Sequence, residues 1–145
     1  MYKIPISVLV VIHTPDMQIL LLERADHPGY CQSVTGSQNQ GETLSETAVR
    51  EVGEETGLDA TRYHLTDCNI LNEYEIYEEW RWRYAPEVTH NTEHVFALLL
   101  PEPIAVSVAA REHLNFVWLP WREAVEKVFS SSNAEAIRTL ALGWS

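Results

Sequence analysis

The sequence predicts an α+β fold, a mixed β-sheet with helices packed against it. Three observations carry that expectation. Short apolar segments of strand character outnumber helical ones along the chain. Hairpin-length turns join most of them, where a doubly wound fold would need crossover helices. Helical periodicity is confined to one central block and the C-terminal end. All 145 residues are expected in a single domain, 1–145, because chains of about 100–200 residues ordinarily fold as one unit. A domain of that size buries roughly two thirds of its unfolded surface and needs no staples.

Ile4–Ile12 is dense in β-branched residues and reads as a buried strand. Thr14-Pro15-Asp16 turns the chain, and Gln18–Glu23 returns as the second strand of a hairpin. Tyr30–Thr35 is a short strand leading into a loop, Gly36 to Gly41. Thr43–Thr56 is helical: Thr43 and Glu46 form a capping box, while Leu44, Ala48 and Val52 repeat every fourth residue. Gly57 supplies the stop. Strands follow at Asn69–Tyr77, Trp80–Tyr84, Thr92–Leu100 and Leu114–Leu119, then amphipathic helices at Trp121–Phe129 and Ala134–Leu142. Tyr74, Tyr77, Trp80, Trp82 and Tyr84 could stack a planar ring, but Trp80, Trp82 and Tyr84 alternate with Arg81 and Arg83, which is strand patterning and favours core packing for those three.

Lys and Arg number 10 against 21 Asp and Glu, a formal charge of −11 with pI near 4.9. That balance argues against duplex nucleic acid and anionic membrane surfaces as partners, since both are recognised by basic patches. A small anion is compatible only if something cationic bridges it to this chain. Cys31 and Cys68 match no zinc or redox spacing and are expected as buried free thiols of a reducing compartment. Ile4–Ile12 is too short to span a bilayer, and Pro5 and Ser7 interrupt it. No basic leader precedes it, so the expected location is the cytoplasm. Monomer and dimer both fit the sequence.

The helix over 43–56 is the most informative segment. Glu51 and Glu55 share a face with Glu54 beside them, in the C-terminal half where the helix dipole favours cations. Only Arg50 compensates, four residues before Glu54. A solvated charged face normally interleaves Lys with Glu, and this one does not. An arrangement that costs stability without local gain points to a functional site. A divalent cation turns the repulsion into coordination, and hard carboxylate oxygens suit Mg²⁺. The loop ahead of the helix can offer backbone amides to an anion.

Gly36–Leu58 resembles the Nudix box of the Nudix hydrolase superfamily, on Gly36, Glu42, Arg50, Glu51, Val52, Glu54, Glu55, Gly57 and Leu58 without insertion. Seven fixed identities at roughly 6% each, over about 120 registers, arise by chance on the order of 10⁻⁷ of the time. Ser37 and Asn39 depart from the commonest form, where Gly and Glu are frequent. The resemblance implies an α/β/α sandwich and hydrolysis of a diphosphate linked to another moiety, with Mg²⁺ (or Mn²⁺ in its place). By that likeness Glu51 and Glu55 are metal ligands, Glu54 a further one, and Arg50 orients the carboxylates. Gly36 offers its carbonyl to a metal. Every box carboxylate is retained, which disfavours a non-catalytic nucleotide sensor, and no nucleophile elbow supports serine chemistry.

The flanks resemble a bacterial branch of the superfamily acting on dihydroneopterin triphosphate or dATP. The shared residues include Lys3, Pro5, Ser7, Gln32–Ser37, Arg83–Pro86, Val88-Thr89, Asn91–Glu93, Glu112–Leu114, Trp118-Leu119 and Ser132-Asn133. That likeness implies a small-molecule triphosphate substrate, cleaved to monophosphate and pyrophosphate. It places Lys3, Arg24, Thr35, Tyr74, Glu75, Ile76, Tyr77, Glu112 and Ser130 at the substrate. A broader nucleoside-triphosphate pyrophosphohydrolase is the alternative. Bland roles compete: Lys3 and Arg24 as solvated cations, Ser130 as a helix cap. The six histidines show no metal spacing, and only His113, beside Glu112, stands near a candidate. A general base is still required, with Glu93, Glu102 and Glu112 as candidates outside the box. Glu102 sits between Pro101 and Pro103 in a turn, whereas Glu112 precedes a strand at a sheet end and matches a third metal ligand of that branch.

Overall fold

The computed structural model describes residues 2–109 and 112–143. The strands are β1 (Ile6–His13), β2 (Gln18–Arg24), β3 (Cys31–Gln32), β4 (Val34–Ser37), β5 (His64–Glu75), β6 (His90–Leu99) and β7 (His113–Pro120). The helices are α1 (Leu44–Thr56), α2 (Trp121–Lys127) and α3 (Ser131–Ala141), with 3₁₀ turns at Ala60–Arg62 and Glu78–Arg83.

β1 organises the sheet. One edge runs parallel to β6 from Ile6 opposite Thr92 to His13 opposite Leu99. The other edge is divided. It meets β2 at the hairpin end, His13 opposite Ile19, and β4 occupies the remainder from Val10 opposite Val34 to Ser7 opposite Ser37. β2 parts from β1 and pairs instead with β7 and β3, while β5 lies antiparallel outside β6. The wedge of β4 between the two delivers the chain to α1.

Strand alternation sends β1 side chains to two cores. Val8, Val10 and Ile12 pack with Leu20, Leu22, Phe96 and Leu98 beneath Ala48 and Val52 of α1. Leu9 and Val11 pack with Ile19, Leu21 and Val95 beneath Ala124 of α2 and Ala136, Ile137 and Leu140 of α3. Each fully buried aliphatic chain, such as Ile137, contributes about 1.5–3 kcal/mol. The result is the expected α/β/α sandwich. Cys31 and Cys68 are free and buried. No described helix is long and apolar enough to cross a membrane.

α1 starts and stops as its sequence predicts. Thr43 Oγ1 accepts from the Glu46 amide at 3.1 Å, the Glu46 carboxylate accepts from the Thr43 amide at 2.8 Å, and Gly57 closes the helix at φ 76°. Three expectations need correction. Trp80–Tyr84 is not a strand: β5 pairs directly with β6 up to Glu75 opposite His90, and the residues that connect the two pair with no strand. They coil into the 3₁₀ turn, and Trp82 is 73% exposed where a core ring was expected. β5 begins at His64, before the expected Asn69, and absorbs the difference in a bulge where Asn69 adopts φ 55°. The last helix begins at Ser131, because the Ser130 hydroxyl caps it by accepting from the Asn133 amide at 3.2 Å.

Candidate active site

Arg50 is the hub of the loop–helix junction. Its Nε donates to Glu42 Oε2 at 2.6 Å, and its Nη1 to Glu51 at 2.7 Å and Glu54 at 3.2 Å. Its Nη2 reaches the Ser37 carbonyl at 2.9 Å and Glu42 Oε1 at 3.1 Å. Glu42 also accepts from the Asn39 amide and the Thr47 hydroxyl. The guanidinium, with those donors, holds the Glu42 carboxyl down at about 2. Glu42 is therefore a structural anion that ties the loop to the helix.

Gly36 and Glu51 meet at closest approach. A Cβ built on Gly36 would fall on the Glu51 carboxyl carbon and both its oxygens. The carboxylate thus lies flat against the β4 backbone, in a cradle that only glycine leaves open.

Glu55, one turn later, is 2% exposed, and its Oε1 has no hydrogen-bond partner. Burial, reinforced by the Glu51 and Glu112 carboxylates, holds its carboxyl well above the ordinary range, against a Thr35 backbone N–H. His113 Nε2 stands 3.7 Å from the orphaned oxygen, and burial lowers that imidazole. Apposed carboxylates, one with an unpaired buried oxygen, form a hard-oxygen donor set missing its counter-charge, which fits a divalent cation. Among the described residues no three His, Cys, Asp or Glu converge into a finished cage.

These groups open into a cleft of about 640 Å³. Of the expected substrate residues, Lys3, Arg24, Thr35, Tyr74, Glu75, Tyr77, Glu112 and Ser130 line it, together with Gly36, Arg50, Glu51 and Glu55. Ile76 does not. It is 4% exposed and turned inward, its amide bonded to the Thr89 carbonyl. Glu54 also lies off the cleft, its side chain 55% exposed and held by Arg50. Glu112 is exposed at the rim, and its carboxylate, with that of Glu51, opposes the lowering of Lys3 by partial burial and Arg83.

Arg24 is fixed rather than free. Its Nε and Nη2 grip Asp26 at 2.8 and 2.7 Å, Nη1 reaches Gln32 at 3.1 Å, and the rings of Trp80 and Phe129 lie 4.9 and 5.5 Å from its guanidinium carbon. Sequence reasoning favoured the core over the cleft for Trp80 and Tyr84, which line it, and missed Phe129, Gln32 and Asn91 as cleft residues. No local alternation marks Asn91 and Glu93, whose neighbours His90, Thr92 and His94 are also polar; the pairing of β6 with β1 and β5 turns them inward.

The NUDIX domain profile matches residues 3–140. Dihydroneopterin triphosphate diphosphatase of Escherichia coli (strain K12) is 43% identical over 144 residues, covering 97% of this chain and 95% of that protein. The enzyme of the same name from Haemophilus influenzae is 45% identical over 140 residues, covering 94% of this chain and 87% of its own. The solved structure of the E. coli dihydroneopterin triphosphate pyrophosphohydrolase superposes with a TM-score of 0.89 at 43% identity and covers 97% of both chains. A NUDIX hydrolase from Listeria monocytogenes, 24% identical with a TM-score of 0.80, shares the fold over 96% of this chain and 93% of its own. With its box carboxylates gathered around Arg50 and its matched span running nearly end to end, the chain belongs to the NUDIX domain family.

Proposed function

We propose that this protein hydrolyses dihydroneopterin triphosphate to dihydroneopterin monophosphate and pyrophosphate, with Mg²⁺ held by Glu51 and Glu55 and approached by Glu112. The observation that carries the reading is that one cleft contains both the Glu51–Glu55 carboxylate pair, with its unpartnered Glu55 oxygen, and the cationic, aromatic wall a ring-bearing triphosphate needs. The end-to-end likeness to dihydroneopterin triphosphate diphosphatases supports the same substrate. Mn²⁺ is the expected substitute metal, and dATP a secondary substrate.

Cleavage of a phosphoanhydride is mostly positioning and charge neutralisation. A bound divalent cation supplies charge neutralisation at the phosphate oxygens and a more acidic water. The chain's own residues do the rest. Arg50 fixes Glu51 against Gly36, so that carboxylate is in place before substrate arrives. Lys3 and Arg24 offer positive charge to the phosphates, Arg24 from a fixed position. Glu112, exposed at the rim, is the residue free to take a proton from water.

Product analysis with dihydroneopterin triphosphate and Mg²⁺ tests the proposal. Pyrophosphate and the monophosphate are expected in equal amounts. Orthophosphate with the diphosphate ester, or no turnover, refutes it.

A further inference from the structure

On the sheet face covered by α3, the inward positions of β1 and β6 are largely apolar: Leu9, Val11, Val95 and Ala97. Toward the cleft that face turns polar. Ser7 lies opposite Glu93, while Glu93 and Asn91 lie opposite Asn72 and Tyr74 of β5. Ser7, Asn91 and Glu93 are 5%, 2% and 4% exposed. Buried amides and carboxyls destabilise a fold unless their hydrogen bonds are met, and here they are met only in part. Asn91 Nδ2 donates to Ser7 Oγ at 2.7 Å and to Tyr74 Oη at 3.1 Å, but Asn91 Oδ1 is buried without a partner. Glu93 Oε1 accepts from Asn72 Nδ2 only at a long 3.4 Å, and the Ser132 side chain is the other hydrogen-bonding group at its carboxyl.

This patch is distinct from the carboxylate pair. Gly36, which cradles Glu51, pairs with Val8, and Glu93 pairs with Ser7. Successive β1 residues point to opposite faces, so the two groups flank the sheet and share only the cleft. Asn91 and Glu93 line that cleft, and Tyr74, 41% exposed, adds an aromatic ring beside them. The complement is a planar ring with N–H donors along one edge.

We propose that Glu93 and Asn91 form the ring-reading pocket, a carboxyl oxygen of Glu93 and Oδ1 of Asn91 each accepting one N–H of an exocyclic ring amino group. The assignment rests on the triphosphate reading above for what the rest of the ligand is. Pterin and adenine both carry such a group. Hypoxanthine has a carbonyl oxygen in its place, which two acceptors repel and leave unpaired.

Equilibrium binding of dATP and dITP to the full chain, in EDTA so that nothing is hydrolysed, tests the pocket. Wild type should favour dATP by at least about tenfold, the worth of one buried hydrogen bond left unmade. Glu93→Ala should bring the ratio within about twofold of one, and Glu93→Gln, which keeps a carbonyl acceptor, should restore part of it. Equal binding by wild type overturns the proposal without reference to any variant. So does a ratio that survives Glu93→Ala, because a merely structural loss weakens both ligands alike. Amino-selective binding that persists while the pyrophosphate assay fails would strike the reaction and leave the pocket standing.

Discussion

Gly36→Ala separates the fold from the site. The Gly36 backbone lies outside the positive-φ region, so alanine meets no backbone strain there. The conflict is between the new methyl and the Glu51 carboxylate, which occupy the same space. That carboxylate is the far end of a flexible side chain and can swing away, but its 2.7 Å bond to Arg50 must then break. Both partners are mostly buried, with side chains 12% and 25% exposed. A charge-assisted bond in that setting contributes about 1.5–3 kcal/mol, and each kcal/mol lowers Tm by roughly 2–4 °C in a domain of this size. The variant should therefore stay folded, with Tm a few degrees lower by calorimetry. Its kcat/KM should fall by at least about 10²-fold, since a displaced ligand costs metal affinity on the order of 10–100-fold and misplaces what remains. A double-mutant cycle isolates the cause: in a Glu51→Ala background, Gly36→Ala should cost less than about 0.5 kcal/mol. Activity within threefold of wild type, or an undiminished cost in the Glu51→Ala background, would refute the cradle.

The Glu42 carboxyl lies below its ordinary 4.5, at about 2, so its bonds to Arg50 are fully in force above pH 4.5 and are lost as pH falls through about 2. Acid unfolding of Glu42→Gln, followed by circular dichroism, should show a shallower slope in that window and lower stability at pH 7. Glu112→Gln should lower kcat by at least about 10²-fold with an unchanged circular dichroism spectrum; a loss of only a few-fold would transfer the base to another carboxylate. Thr43→Ala removes the side-chain half of the capping box and should cost about 1 kcal/mol in denaturant titrations, with kcat within a factor of two.

The parts of the site carried by one continuous segment were legible in the sequence. Thr43, Glu46 and Gly57 mark the ends of α1 by local hydrogen bonding alone, and the spacing of Glu51 and Glu55 requires no tertiary information to place both on one face. Residues whose position depends on neighbouring strands were not. The alternation from Trp80 to Tyr84 is the same in a strand and in a short coil, and only the fold shows that these residues form a 3₁₀ turn in the connection between β5 and β6. Ile76 and Glu54 lie off the cleft for a related reason: adjacent residues point in different directions. Ile76 turns inward between Glu75 and Tyr77, which reach the cleft, and Glu54 turns outward beside Glu55. For Glu93 the sequence left the direction open, and the register with Ser7 turns it inward.

All five N–H groups of Arg50 are engaged, on Glu42, Glu51, Glu54 and the Ser37 carbonyl. A fork so completely occupied joins loop and helix into one body, and that has a consequence for rates. Little of the site's ordering is left to accompany metal capture, so entry of the cation should be limited by the shedding of its own water shell. Arg50→Lys keeps the charge but has only three donors on a flexible stem. Each capture would then wait on a conformational search, and the on-rate, more than the equilibrium geometry of the bound state, would register the loss.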